Sequence, residues 1–126
     1  MKIIKTFFSS ILLLICISCG DNNSNYTRIE ITSPTDNELV NHMSFVNIKG
    51  KIYEDGKLIR NIYIKVTEIY SGNNTLILDF KDNNFYKEYD INQKFVATTG
   101  SEYKIEIGAF GGYEHWTTKT IMVKCN

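Results

Sequence analysis

The sequence predicts an all-β domain in which two antiparallel sheets, about seven strands in total, pack face to face as a sandwich behind an N-terminal segment that is not part of the fold. Three observations carry this reading. Apolar residues recur at every second position over short runs, the period of half-buried strands. Turn-forming Gly, Asn and Asp clusters separate the runs at short intervals, as in two-sheet folds. No stretch sustains apolar residues at helical spacing, while Ile, Val, Thr, Tyr and Phe dominate, as β-propensity requires.

Residues 1–18 read as a targeting segment. Lys2 and Lys5 give a cationic start, residues 7–17 are apolar apart from Ser9 and Ser10, and Ser18-Cys19-Gly20 closes with small residues. That is the order of a secretory signal. The apolar run is about half the twenty residues that a membrane-spanning helix needs, so the segment targets without spanning. Within it, Cys16-Ile17-Ser18-Cys19 resembles the lipobox of bacterial lipoproteins, in which a small residue precedes a cysteine that is acylated and becomes the new N-terminus. Ser18 and Cys19 match the pattern, and Cys16 stands where the family usually has an aliphatic residue. The resemblance implies lipidation of Cys19 and attachment to a membrane through its acyl chains. Gly20 after the cysteine is similar to the outer-membrane sorting pattern of some bacteria. An ordinary signal cleaved nearby, leaving Cys19 as a thiol, is the alternative.

On the lipoprotein reading, 108 residues remain from Cys19 onward, the size of one domain. Loss of Lys2 and Lys5 leaves 12 basic against 14 acidic side chains, a net charge of −2. Such a balance offers nothing to nucleic acid or to an anionic lipid surface. Attachment then falls to the acyl chains, each buried methylene contributing about 0.8 kcal/mol. With Cys16 removed and Cys19 acylated, Cys125 is the remaining cysteine, and the fold has to hold without an intrachain disulfide. A Cys19–Cys125 bridge is the alternative. Residues 19–27 are polar and Asn-rich, and read as a tether leading to a domain over 28–126. The glycosylation sequons at Asn22, Asn25 and Asn73 are read as chance occurrences.

Along the domain, residues 28–31 alternate before Pro34, the one proline, interrupts the strand. A proline cannot donate to a ladder, so it suits an edge strand that leaves one sheet and resumes at residues 38–40. Residues 44–53 place Val46, Ile48, Gly50 and Ile52 inward. After a turn at Glu54-Asp55-Gly56, residues 61–70 place Ile62, Ile64 and Val66 inward and Tyr63, Lys65 and Thr67 outward. A hairpin loop at residues 71–74 leads to a return strand with Leu76, Leu78 and Phe80 in phase. Residues 85–91 form a further strand on which Phe85, Tyr89 and Ile91 share a face with Lys87, and residues 92–99 a long connection. The central strand is 100–110, with Tyr103, Ile105, Ile107 and Ala109 inward and Lys104 and Glu106 outward. Gly111-Gly112 turns into residues 113–125, where Ile121 and Val123 share one phase and Trp116 the other. Either a bulge near Thr117 resets the register or Trp116 faces outward.

Two stretches carry a family resemblance. Ile31-Thr32-Ser33-Pro34-Thr35-Asp36-Asn37, followed by Val46-Asn47-Ile48-Lys49-Gly50, is similar to the opening of bacterial immunoglobulin-like repeats, and residues 100–109 are similar to the Gly-Thr-Glu-Tyr strand of fibronectin type III domains. The resemblance implies an Ig-like or fibronectin III-like sandwich in which Tyr103 packs at a corner. The third strand lacks a Trp, and no cysteine pair joins the sheets, which excludes an antibody-type domain and leaves both strand orders open.

Catalysis and metal chemistry find no motif. His42 and His115 are the candidate neutral-pH bases, and neither a nucleophile elbow nor a His–Cys arrangement accompanies them. There is no zinc spacing. Asp79, Asp82, Asn83 and Asn84 concentrate oxygen donors without the alternation of a calcium loop, and read as a solvated turn. No enzyme activity, cofactor or metal is expected. Of 8 Tyr, 7 Phe and 1 Trp, only Phe7 and Phe8 precede Cys19, and a small core cannot hide the rest. Tyr63, Tyr70, Tyr86, Tyr113 and Trp116 fall on outward phases or strand ends. Exposed rings stack on sugars or anchor protein contacts, or pack across strands on a sheet's solvent face. The expected partner patch is Tyr113, His115 and Trp116, on a lipid-anchored, non-enzymatic domain that binds a protein or a polysaccharide in the cell envelope. A structural subunit of an envelope assembly is a further reading.

Overall fold

In the computed structural model, residues 27–111 and 114–126 are described; Cys19 and Tyr113 lie outside them. Eight strands follow in chain order: β1 (Arg28–Ser33), β2 (Glu38–Val40), β3 (Phe45–Tyr53), β4 (Asn61–Tyr70), β5 (Asn73–Asp82), β6 (Glu88–Val96), β7 (Glu102–Phe110) and β8 (Trp116–Cys125). They form a three-stranded sheet, β1-β3-β6, and a five-stranded sheet, β2-β8-β7-β4-β5. The described residues contain no helix. Two expectations are corrected. Among the described residues the strands number eight against about seven, the interrupted edge strand counting as two: the chain leaves one sheet at Pro34, as expected, and resumes in the other as β2. Nor is the sandwich wholly antiparallel, since β2 runs parallel to β8, pairing Glu38 with Val123 and Val40 with Cys125.

The crossing has a local cause. The β1–β3 register shifts between Ile31 and Ser33, and a Cβ on Gly50 would lie 2.0 Å from the Glu30 carbonyl oxygen. Only glycine lets the two backbones approach so closely there. The Ser33–Pro34 bond is cis. At the β4–β5 turn, Ser71 and Gly72 both have positive φ, 49° and 77°, the pattern of a two-residue type I′ hairpin. The loop is therefore shorter than residues 71–74, and β5 begins at Asn73.

Two strand readings need correction as well. The β4–β5 pairing skips Ile77, with Val66 opposite Leu78 but Thr67 opposite Leu76. Past that bulge Leu76 shares the outer face with Thr67 and is 50% exposed, out of phase with Leu78 and Phe80. Further on, Phe85 belongs to no strand, and β6 runs from Glu88 through Asn92 and Gln93 to Val96. Most of the supposed connection is thus a paired strand with Phe95 buried in it.

The core lies between the sheets. Ile48 and Ile52 of β3 and Ile91 and Phe95 of β6 face Ile64 and Val66 of β4 and Tyr103, Ile105 and Ile107 of β7. Phe95 and Tyr103 meet across the sheets with ring centroids 4.8 Å apart. The Tyr103 hydroxyl accepts from the Thr98 backbone N–H at 2.6 Å and donates to Glu68 Oε2 at 2.9 Å, closing the bend between β6 and β7. Cys125 is a buried free thiol.

Strand directions define two poles. One collects Thr27, the β3–β4 and β5–β6 connections, Gly111, Glu114 and His115; the other collects the remaining described turns and Cys125. At the first pole Thr27, which the sequence assigns to the tether, is buried and donates its hydroxyl to Glu54 Oε2. A Cβ on Gly111 would strike both partners, at 2.3 Å from Thr27 Oγ1 and 2.5 Å from Glu54 Oε2. The connections are tied to one another by Ile59–Tyr86 backbone bonds of 2.7 and 3.0 Å and by Arg60 N–H to Phe110 O at 2.9 Å.

Candidate functional site

The strands of the five-stranded sheet bring three aromatic rings together on its outer face. The β7–β8 register is unbroken, pairing Phe110 with Trp116 and Gly108 with Thr118. Of the two alternatives for Trp116, the outward one therefore holds, and the ring is 48% exposed. Across the sheet, β4 pairs Tyr63 with Gly108. A Cβ on Gly108 would lie 2.1 Å from Tyr63 Cε1 and 2.3 Å from Cζ, so the tyrosine ring lies flat over the glycine and reaches Trp116. Ring centroids are 5.3 Å apart for Tyr63–Trp116 and 5.4 Å for Phe110–Trp116, with interplanar angles of 51° and 59°, inside the range of favourable tilted pairs. A cross-strand glycine covered by an aromatic ring is a recognised way of holding such a ring against a sheet.

Cations cap this shelf. The Lys65 ammonium stands 5.0 Å from the Tyr63 ring centroid and the Arg60 guanidinium 5.2 Å from that of Phe110, both within cation–π range. Acidic groups balance them, with Arg60 3.9 Å from Glu114 and Lys81 3.9 Å from Asp79. These exposed pairs contribute little to stability, but they leave the surface near neutrality. Burial raises the Tyr63 hydroxyl pKa above that of a free tyrosine, and a hydrogen bond to the Glu106 carboxylate adds to the effect. The phenol is thus a neutral donor at physiological pH. Beside the rings a groove of about 610 Å³ is lined by Asn61, Tyr63, Lys65, Lys81, Asn83 and Trp116. Aromatic faces next to amide and ammonium donors can stack on a flat or ring-shaped ligand and hydrogen-bond its edge.

The expected patch divides in this arrangement. Trp116 belongs to the shelf, His115 is exposed in the preceding turn, and Tyr113 lies outside the described residues. Tyr63 is outward as expected, and Tyr70 is exposed at the end of β4, on the same phase as Ile62, Ile64 and Val66. Tyr86 is not: it packs part-buried beside Tyr89, centroids 4.9 Å apart, and donates to Asp82 Oδ2 at 2.7 Å. Sequence reasoning missed Phe110, Gly108 and the lining amides Asn61 and Asn83. The available signal was Gly108, a glycine inside a strand, which marks a close approach by something else.

The other candidates do not converge. His42 accepts the Thr99 backbone N–H on Nδ1 at 3.1 Å, at the pole opposite His115. Asp79 pairs with Lys81 on the outer face of β5, whereas Asp82 faces the other way and takes the Tyr86 hydroxyl and the Asn84 N–H. Among the described residues no group of three or more His, Cys, Asp or Glu is placed to hold a metal ion.

No family model matches the chain, and no curated protein matches it. Among solved structures it is similar to the crystal structure of Spo0M, a sporulation control protein from Bacillus subtilis, with a TM-score of 0.53 and 8% sequence identity. The likeness covers 79% of this chain and 48% of that one. This chain therefore spans about half of the Spo0M structure, and at such identity the likeness concerns the fold alone.

Proposed function

We propose that the chain is a lipid-anchored, extracytoplasmic, non-enzymatic binding domain of a bacterial cell envelope, carried on an Ig-like or fibronectin III-like sandwich, with the outer-membrane side as its location. The anchor reading rests on the signal-like residues 1–18 and the lipobox-like Ser18-Cys19. The fold reading draws on the strand order. A first strand, its partner and a late strand form one sheet, while the last two strands and a central hairpin form the other, as in immunoglobulin variable-type sandwiches. The Tyr103 hydroxyl bonded to a backbone N–H five residues upstream is what a tyrosine corner does.

The observation that carries the binding reading is the Tyr63–Trp116–Phe110 shelf beside a polar-lined groove. Three large rings held on a solvent-facing sheet add nothing to the core, yet they are fixed by a glycine beneath one of them. Co-purification from solubilised membranes tests the reading: wild type should retain a partner that Trp116→Ala together with Tyr63→Ala loses. Equal recovery by both proteins rejects the shelf as the binding face.

A second reading, a carbohydrate-binding module, is favoured by the Asn61 and Asn83 amides beside the rings and by the near-balanced charge, both suited to a neutral sugar. Trp116 is the one tryptophan, so its fluorescence titrated against a polysaccharide panel reports directly. Saturable change with one polysaccharide, abolished by Tyr63→Ala, supports the module. No change with any of them returns the shelf to a protein partner.

A further inference from the structure

We infer that the pole carrying Thr27 is apposed to the lipid surface, with Leu58 and Phe85 in contact with the bilayer interface. The inference rests on the proposed acylation of Cys19 and adds an orientation to it.

Two facts fix which pole faces the bilayer. Thr27 is buried against Glu54 and beneath Gly111, so the chain departs from the sandwich at one defined place. Only seven residues, 20–26, separate it from Cys19. Whatever path they take, the eight Cα–Cα steps from Cys19 to Thr27 span at most about 29 Å, and a flexible chain of that length averages about 16 Å. The ten-residue strand β8, at about 3.3 Å per rise, spans roughly 30 Å. The average reach of the tether is therefore about half the way to the opposite pole, while this pole stays well within it.

The surface at this pole suits a lipid interface. Phe85 is 63% and Leu58 42% exposed, and both line one depression of about 470 Å³ with Lys57, Arg60 and Glu114. Phe85 follows Asp82-Asn83-Asn84 in a polar turn and takes no part in the core, so the fold supplies no reason for its ring. Lys57 and Lys87 are exposed beside these side chains, and their aliphatic stems allow the ammonium groups to sit at headgroup level above buried apolar groups. Asp55, Glu88 and Glu114 are also exposed here. With the two signs in near balance, apolar insertion rather than attraction to anionic lipid is the mode that fits, and zwitterionic phosphatidylcholine suffices. The other pole exposes Met43 and Phe45, which provides an internal control.

Full-length protein is reconstituted into phosphatidylcholine vesicles containing phosphatidylcholine brominated near the headgroup. In a Trp116→Phe background, a tryptophan is introduced by Phe85→Trp or, as the control, by Phe45→Trp. The reporter at position 85 should be quenched about twofold or more, as expected for a ring buried at the headgroup boundary, while the one at position 45 keeps its intensity. Equal quenching at the two sites, or none at position 85 in protein that floats with the vesicles, overturns the orientation and leaves the anchor standing. Protein that fails to float with vesicles overturns the anchor and the orientation together.

Discussion

The contact between Tyr63 and Gly108 yields a sharp energetic prediction. In Gly108→Ala the new methyl would lie 2.1 Å from Tyr63 Cε1 and 2.7 Å from its hydroxyl, so the ring has to swing off the sheet. The half-buried ring then loses its pair with Trp116, about 0.5–1.5 kcal/mol, and the apolar cover over β7. Against this, replacing a strand glycine by alanine returns about 0.5–1 kcal/mol of conformational entropy. With strain of the kind overpacking produces, the net expectation is a destabilisation of about 1–2 kcal/mol. In a Tyr63→Ala background the obstructing ring is gone, and the same substitution should stabilise by about 0.5 kcal/mol. The coupling energy from the double-mutant cycle is then about 2 kcal/mol, inside the range for side chains in direct contact. Urea unfolding followed by Trp116 fluorescence measures it, and with slopes of about 1–3 kcal/mol/M the wild-type-background midpoint should fall by roughly 1 M. The same shift in both backgrounds would refute the idea that the glycine exists to seat the ring.

Three further outcomes are expected. Tyr103→Phe keeps the ring against Phe95 but removes the hydroxyl between Thr98 N–H and Glu68; unfolding should show a loss of about 2 kcal/mol, the scale of a hydrogen bond to a carboxylate plus an unpaired amide. The Asp82 carboxyl titrates below the usual aspartate range because the Tyr86 hydroxyl and then the Asn84 N–H donate to it. Its contribution is present above the unfolded value near 3.9 and disappears as pH falls through the lower folded value, so Asp82→Asn should lower stability at pH 7 and match wild type in strong acid. Cys125 is buried and burial pushes its thiol up, so alkylation of native protein at pH 8 should run slower than that of urea-unfolded protein, with reductant leaving the intact mass unchanged.

How much of this was legible depended on whether one strand's own residues held the information. Tyr103, Ile105, Ile107 and Ala109 are all buried, and alternation alone places them inward, since period and burial coincide on a central strand. The bulge at Ile77 needed a partner: Leu76, Ile77 and Leu78 are consecutive apolar residues, and only the pairing with β4 reveals which one is skipped. The end of β6 was hidden by composition. Gln93 occupies an inward position, and Asn92-Gln93-Lys94 imitates a loop until the β3 ladder is seen to bond through it. The shelf was half legible. Outward Tyr63 followed from phase, Trp116 stayed open between an outward ring and a bulge until the β7–β8 register is seen to be unbroken, and Phe110 and Gly108 sit on the outer phase of β7, whose core side chains are the other four. That the rings touch is a property of three strands lying side by side.

The sequence run around Trp116 serves two surfaces, and the turn geometry separates them. Glu114 adopts φ of 60°, and the Gly111 N–H bonds to the His115 carbonyl at 3.3 Å, so the chain reverses tightly before Trp116 enters β8. Gly111, Glu114 and His115 stand at the pole with Thr27 and Glu54, whereas Trp116 is committed to the flank by pairing with Phe110. If the pole rests against lipid, as inferred, the turn is occluded from a large partner, while the shelf opens sideways just above the headgroups. On that orientation we propose Tyr63, Phe110 and Trp116 as the binding unit, in place of a patch centred on the turn. The two units differ in substitutions that leave Trp116 intact: His115→Ala should spare partner recovery and Tyr63→Ala should abolish it, and the reverse result would move the binding face back to the turn.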